Sequence, residues 1–166
     1  MKTLTLMRHA KAELGGPGIA DHDRKLRLRG IRSAAAVGQA SRDDIPDLVL
    51  CSTSARTRET LDGLIEAWGR APAIDYDRML YLVPGNNLLH RIAKVSDEVG
   101  SVWIIGHNPG IHHLAKQLMG ADTRFPDLAQ RFQTASRAIF ALDEGSWADF
   151  GTRPCRMVEL APAPKD

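Results

Sequence analysis

Arginine and histidine side chains stand at three points of the chain where an apolar segment ends. Arg8 and His9 follow the segment 3–7, Arg56 comes shortly after the segment 48–51, and His107 follows the segment 102–106. Imidazole accepts a phosphoryl group readily, and guanidinium binds phosphate oxygens through a planar pair of hydrogen bonds. Any one of these short motifs could be an ordinary surface pair. Together they predict a phosphoryl pocket with a histidine nucleophile.

The three apolar segments are predicted to be β-strands. Leu4 and Leu6 alternate with threonines, whereas the segments 48–51 and 102–105 are continuous apolar runs typical of strands buried on both faces. Each is followed by apolar residues at helical spacing, and the helix predicted after the segment 48–51 covers about 55–68. The alternation predicts one α/β domain over residues 1–166, a three-layer αβα fold with a mainly parallel central sheet. Ligands bind such sheets at the carboxyl ends of their strands.

The remaining segments give weaker patterns. Residues 69–77 predict an extended connection, 88–95 another amphipathic helix, 121–135 no clear period, and 138–142 with 157–160 a closing antiparallel pair. Residues 13–22 contain three glycines and a proline, which predicts a flap over the site. Asn108 is expected to cap the helix after Pro109, and Asp23 to organise the entry to the first helix.

Composition limits the possible partners. A chain of 166 residues that is 43% hydrophobic can build a core without disulfides or metals. Cys51 and Cys155 are too few and too far apart for a disulfide framework, so both are expected to be buried. A net charge of +2 gives no argument for a nucleic-acid or membrane partner. No apolar run has transmembrane length and no signal-peptide pattern opens the chain, so a cytoplasmic location is expected.

Two other groups of residues leave alternatives open. His112 and His113 lie on a predicted helix without a matching carboxylate or cysteine set, which favours packing or surface roles over a metal site. A basic segment is formed by Arg24, Lys25, Arg27, Arg29 and Arg32. It is either the solvated start of a helix or a rim that attracts an acidic or phosphorylated substrate.

In their order and spacing, three motifs resemble those of the histidine phosphatase superfamily, which includes phosphoglycerate mutases and small phosphatases. They are Leu6–Ala10, Ser52–Thr60 and Gly106–Pro109. The Arg-His-Ala-Lys-Ala form of the first motif and the segment 21–30 look most like SixA-type phosphohistidine phosphatases. The chain departs from the pattern at Ala10, where glycine is frequent, and at Lys25, where such relatives usually have proline.

The resemblance implies a mechanism for this chain. His9 would attack phosphorus, Arg8, Arg56 and a protonated His107 would neutralise the phosphoryl oxygens, and Asn108 would join them in binding substrate. Water would then hydrolyse the phosphohistidine, with no metal or other cofactor. His9 must be neutral to attack, so a backbone carbonyl is expected to hold its other ring nitrogen.

The resemblance also indicates a missing acid. Larger relatives carry a carboxylate between the second arginine and the second histidine to protonate a departing alkoxide, but residues 79–84 have none. Asp75 and Asp77, just upstream, lie in a strand-and-turn context that favours a solvated role over that of an acid. An imidazole leaves more easily than an alkoxide, which favours a P–N bond in the substrate. Glu13, Asp21 and Asp23 remain possible proton donors.

Three hypotheses follow for the function. The first is a phosphatase acting on a protein that carries phosphohistidine. The second is a small-molecule phosphomonoesterase, whose substrate would be a small phosphate ester. The third is a phosphate-binding module without catalysis, which the presence of His9 and both arginines disfavours.

Overall fold

A six-stranded sheet forms the centre of the computed structural model, which describes residues 1–165. The strands, listed in chain order, are β1 (Lys2–Arg8), β2 (Leu48–Ser52), β3 (Ala73–Asp77), β4 (Ser101–Gly106), β5 (Arg137–Leu142) and β6 (Arg156–Ala161). Their order across the sheet is β3-β2-β4-β1-β5-β6. The first four are mutually parallel, and β5 and β6 are antiparallel. The mainly parallel sheet and the closing antiparallel pair are therefore confirmed.

Five α-helices connect these strands within the described residues. They are α1 (Leu28–Ala40), α2 (Ala55–Trp68), α3 (Gly85–Ile92), α4 (Gly110–Met119) and the short α5 (Pro126–Gln130). Single turns of 3-10 helix occur at Asp21–Asp23, Arg78–Leu80 and Trp147–Asp149.

Alternation along the central strands builds two cores. Leu6 of β1, Leu50 of β2 and Ile104 of β4 pack on one face with apolar residues of α3 and α4. Their neighbours Cys51 and Ile105 point to the opposite face and pack with α1 and α2. Successive side chains of a strand must face opposite sides, so a strand between two helical layers is apolar throughout. This arrangement confirms the predicted three-layer αβα fold.

Two glycines allow backbone segments to approach closely beside the strand ends. A Cβ atom at Gly30 would lie 2.1 Å from the carbonyl oxygen of Lys11, so α1 packs against the backbone just after His9. A Cβ atom at Gly110 would lie 2.0 Å from the carbonyl oxygen of Val83. The start of α4 is thereby held against the loop 81–84.

Three expectations need correction outside the site. The second half of 69–77 is not merely an extended connection but the edge strand β3, whose side chains are mostly exposed and so carry no apolar period. The aperiodic stretch 121–135 contains α5. Cys51 is buried as predicted, but Cys155 is only partly buried, because it lies just before the outer strand β6.

The assignment of residues 1–166 to one domain stays a prediction. Among residues 1–165, no helix is both long enough and apolar enough to span a membrane.

Candidate active site

The strand order brings the sequence-predicted residues to one edge of the sheet. Arg8 pairs in register with Gly106, so His9 and His107 follow their strands side by side. The backbone N–H of His9 donates to the Gly106 carbonyl at 3.1 Å, and the two imidazole rings lie 5.3 Å apart. Arg56, in the first turn of α2, lines the same pocket of about 230 Å³. Asn108, Asp21 and Arg24 line it too.

His9 is held in the form that a nucleophile needs. Its Nδ1 lies 2.7 Å from the carbonyl oxygen of Ala10, and the imidazole is 7% exposed. A carbonyl oxygen only accepts, so Nδ1 carries the proton and Nε2 keeps a free lone pair. Burial, reinforced by the charges of Arg56 and Arg8, lowers the pKa of His9 to about 4. The expected backbone hydrogen bond is therefore present, and His9 is neutral at pH 7.

The carbonyl oxygen of Phe132 organises two more side chains of the pocket. It accepts from Nη1 of Arg8 at 3.1 Å and from Nδ2 of Asn108 at 2.9 Å. The Nε of Arg8 and Oδ1 of Asn108 are buried without a hydrogen-bond partner in residues 1–165. The prediction that Asn108 caps α4 is wrong, because that helix begins at Gly110 without a side-chain cap and the amide is committed to Phe132.

Arg56 is 2% exposed and bridges Asp21 and His107. Nη1 donates to the Asp21 carbonyl at 2.7 Å, and Nη2 lies 3.1 Å from the Asp21 carboxylate and 3.2 Å from Nδ1 of His107. A guanidinium only donates, so Nδ1 of His107 accepts and the ring proton is on Nε2, which faces Oγ of Ser52 at 2.7 Å.

His107 is neutral in this structure. Burial, and after it the nearby His9 and Arg56, lowers the pKa of His107 to about 3. Its nearest polar partners are a guanidinium and a hydroxyl, neither of which favours the charged ring. A protonated His107 during phosphoryl transfer stays a prediction.

Asp21 lies in the pocket as a carboxylate. Tyr81 donates its hydroxyl proton to the Asp21 carboxylate, Arg24 donates to it at 3.0 Å, and Arg56 donates at 3.1 Å. The pKa of Asp21 is lowered to about 2, chiefly by the hydrogen bond from Tyr81 and further by the two arginines. An ionised carboxylate has no proton to give, so Asp21 is a counter-ion of Arg56 rather than a proton donor in this state.

The other two proposed donors do not line the pocket. The Glu13 carboxylate lies 3.6 Å from Nε of Arg27, and the exposed Asp23 carboxylate lies 3.7 Å from Nδ1 of His22. Asp23 does not organise the start of α1 either, since Arg27 precedes that helix and no side chain caps it.

Asp75 and Asp77 lie at the end of β3 and the turn that follows it, outside the pocket, and the Asp75 side chain is 51% exposed. Both form ion pairs with Arg91 of α3. Asp77 also accepts from the backbone N–H of Met79 at 2.8 Å. The two carboxylates therefore fasten the end of β3 to its neighbouring turn and helix.

Backbone hydrogen bonds join the chain segments on either side of the flap, residues 13–22. Glu13 N–H donates to the Lys25 carbonyl at 2.8 Å, and Arg27 N–H donates to the Lys11 carbonyl at 2.9 Å. The Glu59 carboxylate of α2 accepts from the Leu26 N–H at 2.6 Å. The basic segment is thus divided, since Arg24, Lys25 and Arg27 precede α1 and only Arg29 and Arg32 lie on it.

Sequence reasoning missed three residues that shape this site. Ser52 accepts from Nε2 of His107, Tyr81 donates to the Asp21 carboxylate, and Thr60 accepts from the Ala10 N–H at 3.0 Å. Ser52 and Thr60 both belong to the second motif. Ser52 is the polar residue at the end of a strand, and Thr60 follows Arg56 by one helical turn, so both positions could have been recognised from the sequence. Tyr81 could not be recognised in this way, because its partner Asp21 is 60 residues away in the sequence.

The histidines of α4 stand apart from the pocket. His112 Nε2 lies 2.6 Å from the Leu128 carbonyl, and its ring stacks on Phe132, while His113 is exposed. Across residues 1–165, no three histidine, cysteine or acidic side chains are grouped as metal ligands.

The two neutral, buried imidazoles predict acid sensitivity of the fold. In the unfolded chain a histidine has its ordinary pKa of about 6.5, so below that pH the unfolded state binds more protons than the native state and stability falls. Between pH 7 and pH 5, the free energy of unfolding measured in urea should fall by about 1 to 2 kcal/mol more for wild type than for His9→Gln. His113→Gln, at an exposed histidine, should behave like wild type. Equal losses in wild type and His9→Gln would contradict a buried neutral His9.

Comparison with known proteins places this site in a family. Residues 4–80 match the model of the histidine phosphatase superfamily (branch 1). The structure is similar to that of a protein of Agrobacterium tumefaciens assigned as the phosphohistidine phosphatase SixA, with 30% identity, a TM-score of 0.84 and coverage of 98% of both chains. The corresponding SixA assignment from Nakamurella multipartitia has 31% identity, a TM-score of 0.83 and coverage of 98% of this chain and 96% of that one.

Among sequence relatives, an uncharacterized protein of Mycobacterium tuberculosis is 37% identical over 149 residues, which are 86% of this chain and 90% of the relative. The matched region of the family model contains Arg8, His9 and Arg56. The similarity to the two SixA structures also includes the second histidine and the closing strands, because those structures cover nearly the whole chain. The chain therefore belongs to the histidine phosphatase superfamily, with a SixA-like structure.

Proposed function

We propose that this protein is a phosphatase that removes phosphate from phosphohistidine on a protein and carries the phosphoryl group on His9. The observation that carries the proposal is the state of His9. Its Nε2 has a free lone pair because Nδ1–H is bound to the Ala10 carbonyl, and burial keeps the ring neutral. A neutral, oriented imidazole within a pocket of guanidinium groups is an activated nucleophile for a phosphoryl group.

The reaction proceeds in two displacements. In the first, Nε2 of His9 forms a bond to phosphorus as the P–N bond of the substrate breaks, and the departing imidazole takes a proton from solvent. In the second, water attacks the phosphohistidine, the bond from phosphorus to His9 breaks, and inorganic phosphate leaves. His9 returns to its neutral form, so the net reaction consumes the phosphohistidine and one water molecule.

The charge of the transition state is met by the other pocket residues. Arg8 and Arg56 supply guanidinium groups, and Asn108 lines the same pocket. A phosphoryl dianion beside His107 would raise the pKa of that imidazole, reversing the effect that its present cationic neighbour Arg56 exerts. His107 would then become a further donor only when the substrate is bound.

The identity of the leaving group follows from the missing proton donor. Asp21 lines the pocket but is held ionised, and Glu13 and Asp23 do not line it. A histidine leaving group needs less help than an alkoxide because imidazole is protonated near neutral pH. Two structurally similar proteins with 30% and 31% identity are assigned as phosphohistidine phosphatases, which supports the same substrate here.

Phosphate release from a histidine-phosphorylated protein domain tests the proposal. Wild-type protein should act on this substrate with a kcat/KM at least about tenfold above that for a phosphoserine peptide, a sugar phosphate or a mononucleotide. Faster turnover of a sugar phosphate or nucleotide would favour a small-molecule phosphomonoesterase. Binding of vanadate without release from any substrate would favour a phosphate-binding module.

Arg56 offers a second test of the pocket. Arg56→Ala should lower kcat/KM about a hundredfold or more, because it removes a charge partner of the transferred phosphoryl group. The matched control is Arg58→Ala on the same helix, since Arg58 is exposed and its guanidinium lies over the Tyr76 ring. Steady-state rates, with circular dichroism to confirm folding, provide the measurement. A folded Arg56→Ala protein as active as the Arg58 variant would remove Arg56 from the mechanism.

A further inference from the structure

Two leucines lie at the mouth of the phosphoryl pocket. Leu14 comes from the flap and is 74% exposed, and Leu82 comes from the loop between the 78–80 turn and α3 and is 51% exposed. Both line the pocket that contains His9 and Arg56. Single exposed leucines are common on protein surfaces, so exposure alone assigns them no role.

The backbone of Leu82 supplies the second observation. Its φ angle is 49°, in the left-handed region that disfavours a leucine and suits glycine. Its neighbours fix this conformation, because Leu80 is 1% exposed and the Val83 carbonyl packs against Gly110. A glycine would relieve the strain and leave the loop path unchanged. A leucine at this position therefore keeps an apolar side chain at the pocket despite an unfavourable backbone, and such outliers concentrate at ligand sites.

The chemistry of the pocket limits what the two leucines can contact. In the proposed function the guanidinium groups of Arg8 and Arg56 bind the phosphoryl oxygens, and an alkyl side chain offers those oxygens no hydrogen bond. The part of a substrate that can pack on a leucine is the organic group attached to phosphorus. A sugar or glycerate would place hydroxyl groups against these side chains without hydrogen-bond partners, whereas a planar aromatic or imidazole ring would bury apolar surface.

The position of Leu82 in the chain points the same way. It lies within residues 79–84, the stretch that contains no carboxylate. From this stretch Leu82 lines the pocket, so it brings an apolar side chain and no acid to the site.

We propose that Leu14 and Leu82 form an apolar clamp that recognises a ring-shaped leaving group and so determines the specificity of the site. The identity of that ring as the imidazole of phosphohistidine rests on the proposed function. The clamp itself would act on any aromatic leaving group. It would add nothing to the affinity for the phosphoryl group alone.

Variants at the two leucines separate these contributions. Leu82→Gly and Leu14→Ala should each raise KM about fivefold to tenfold for p-nitrophenyl phosphate and for a phosphohistidine peptide, as expected for loss of a leucine contact. The inhibition constant of orthovanadate, and KM for phosphoramidate, which has no organic group, should stay within about twofold. Val158→Ala is the matched control, because Val158 is an exposed apolar residue of β6 outside the pocket.

The outcomes distinguish a clamp from a structural role. Leu82→Gly should melt no lower than wild type, because glycine accepts the left-handed conformation. Unchanged KM for the aryl phosphate in both variants would overturn the clamp, and so would an equal rise in the vanadate inhibition constant. Failure of the proposed function would appear instead as poor turnover of phosphohistidine by the wild-type protein, whichever result the aryl substrate gives.

Discussion

Replacing His9 by alanine is expected to reduce turnover to the uncatalysed background, a loss of about ten-thousandfold or more, because the variant removes the atom that bonds to phosphorus. The two guanidinium groups remain, so vanadate should still bind. The fold should persist, since the space of one imidazole opens toward the pocket rather than into either core. Phosphate release and vanadate titration measure the two effects separately.

The matched control is His113→Ala, at an exposed histidine on α4 that does not line the pocket. It should retain wild-type activity. Quenching the wild-type reaction in alkali should trap phosphate on His9, and the label should be lost in acid, since phosphohistidine is acid-labile. Label recovered on any other residue would overturn the assignment of the nucleophile.

Turnover is also expected to depend steeply on the leaving group. Phosphohistidine and aryl phosphates should be hydrolysed, whereas alkyl phosphates should be slower by about a thousandfold, within the range that a general acid contributes. The structural reason is that Asp21, the acidic residue lining the pocket, is held ionised by Tyr81, Arg24 and Arg56. A series of phosphate esters with graded leaving-group pKa values gives the dependence as a slope.

Amide variants provide the control for this series. Asp21→Asn, Glu13→Gln and Asp23→Asn should each change phosphohistidine turnover by no more than a few fold, because none of these residues supplies a proton to the leaving group. Efficient hydrolysis of an alkyl phosphate that collapses in one of the three variants would identify that residue as the acid. The small-molecule phosphomonoesterase would then be the better description.

Much of the fold follows from local patterns. The apolar runs at β2 and β4 predict buried parallel strands, and α2 was predicted over the residues it occupies. The edge strand β3 was not recognised, because its register depends on pairing with β2 rather than on an apolar period of its own. The cap assigned to Asn108 failed for a related reason, since a tertiary contact with Phe132 outweighed the local preference.

The candidate site divides in the same way. The meeting of His9, Arg56 and His107 could be predicted because parallel strands end at a common edge. The neutral state of His9 was also predicted, and its ring partner is the adjacent Ala10. The states of His107 and Asp21 could not be predicted, because they depend on partners distant in sequence. His107 is neutral chiefly through burial and further through His9 and Arg56, and Asp21 is ionised chiefly through Tyr81. Such contacts depend on the tertiary structure, so they cannot be recognised in a short sequence motif.

The contact between Asp21 and Arg56 bears on how a catalytic cycle ends. Inorganic phosphate, once released from phosphohistidine, would share the Arg56 guanidinium with a carboxylate that belongs to the protein itself. This tethered competitor is always present at the same local concentration, so it weakens the retention of product. The enzyme would therefore be inhibited only weakly by inorganic phosphate, while Arg56 stays buried and paired between catalytic cycles.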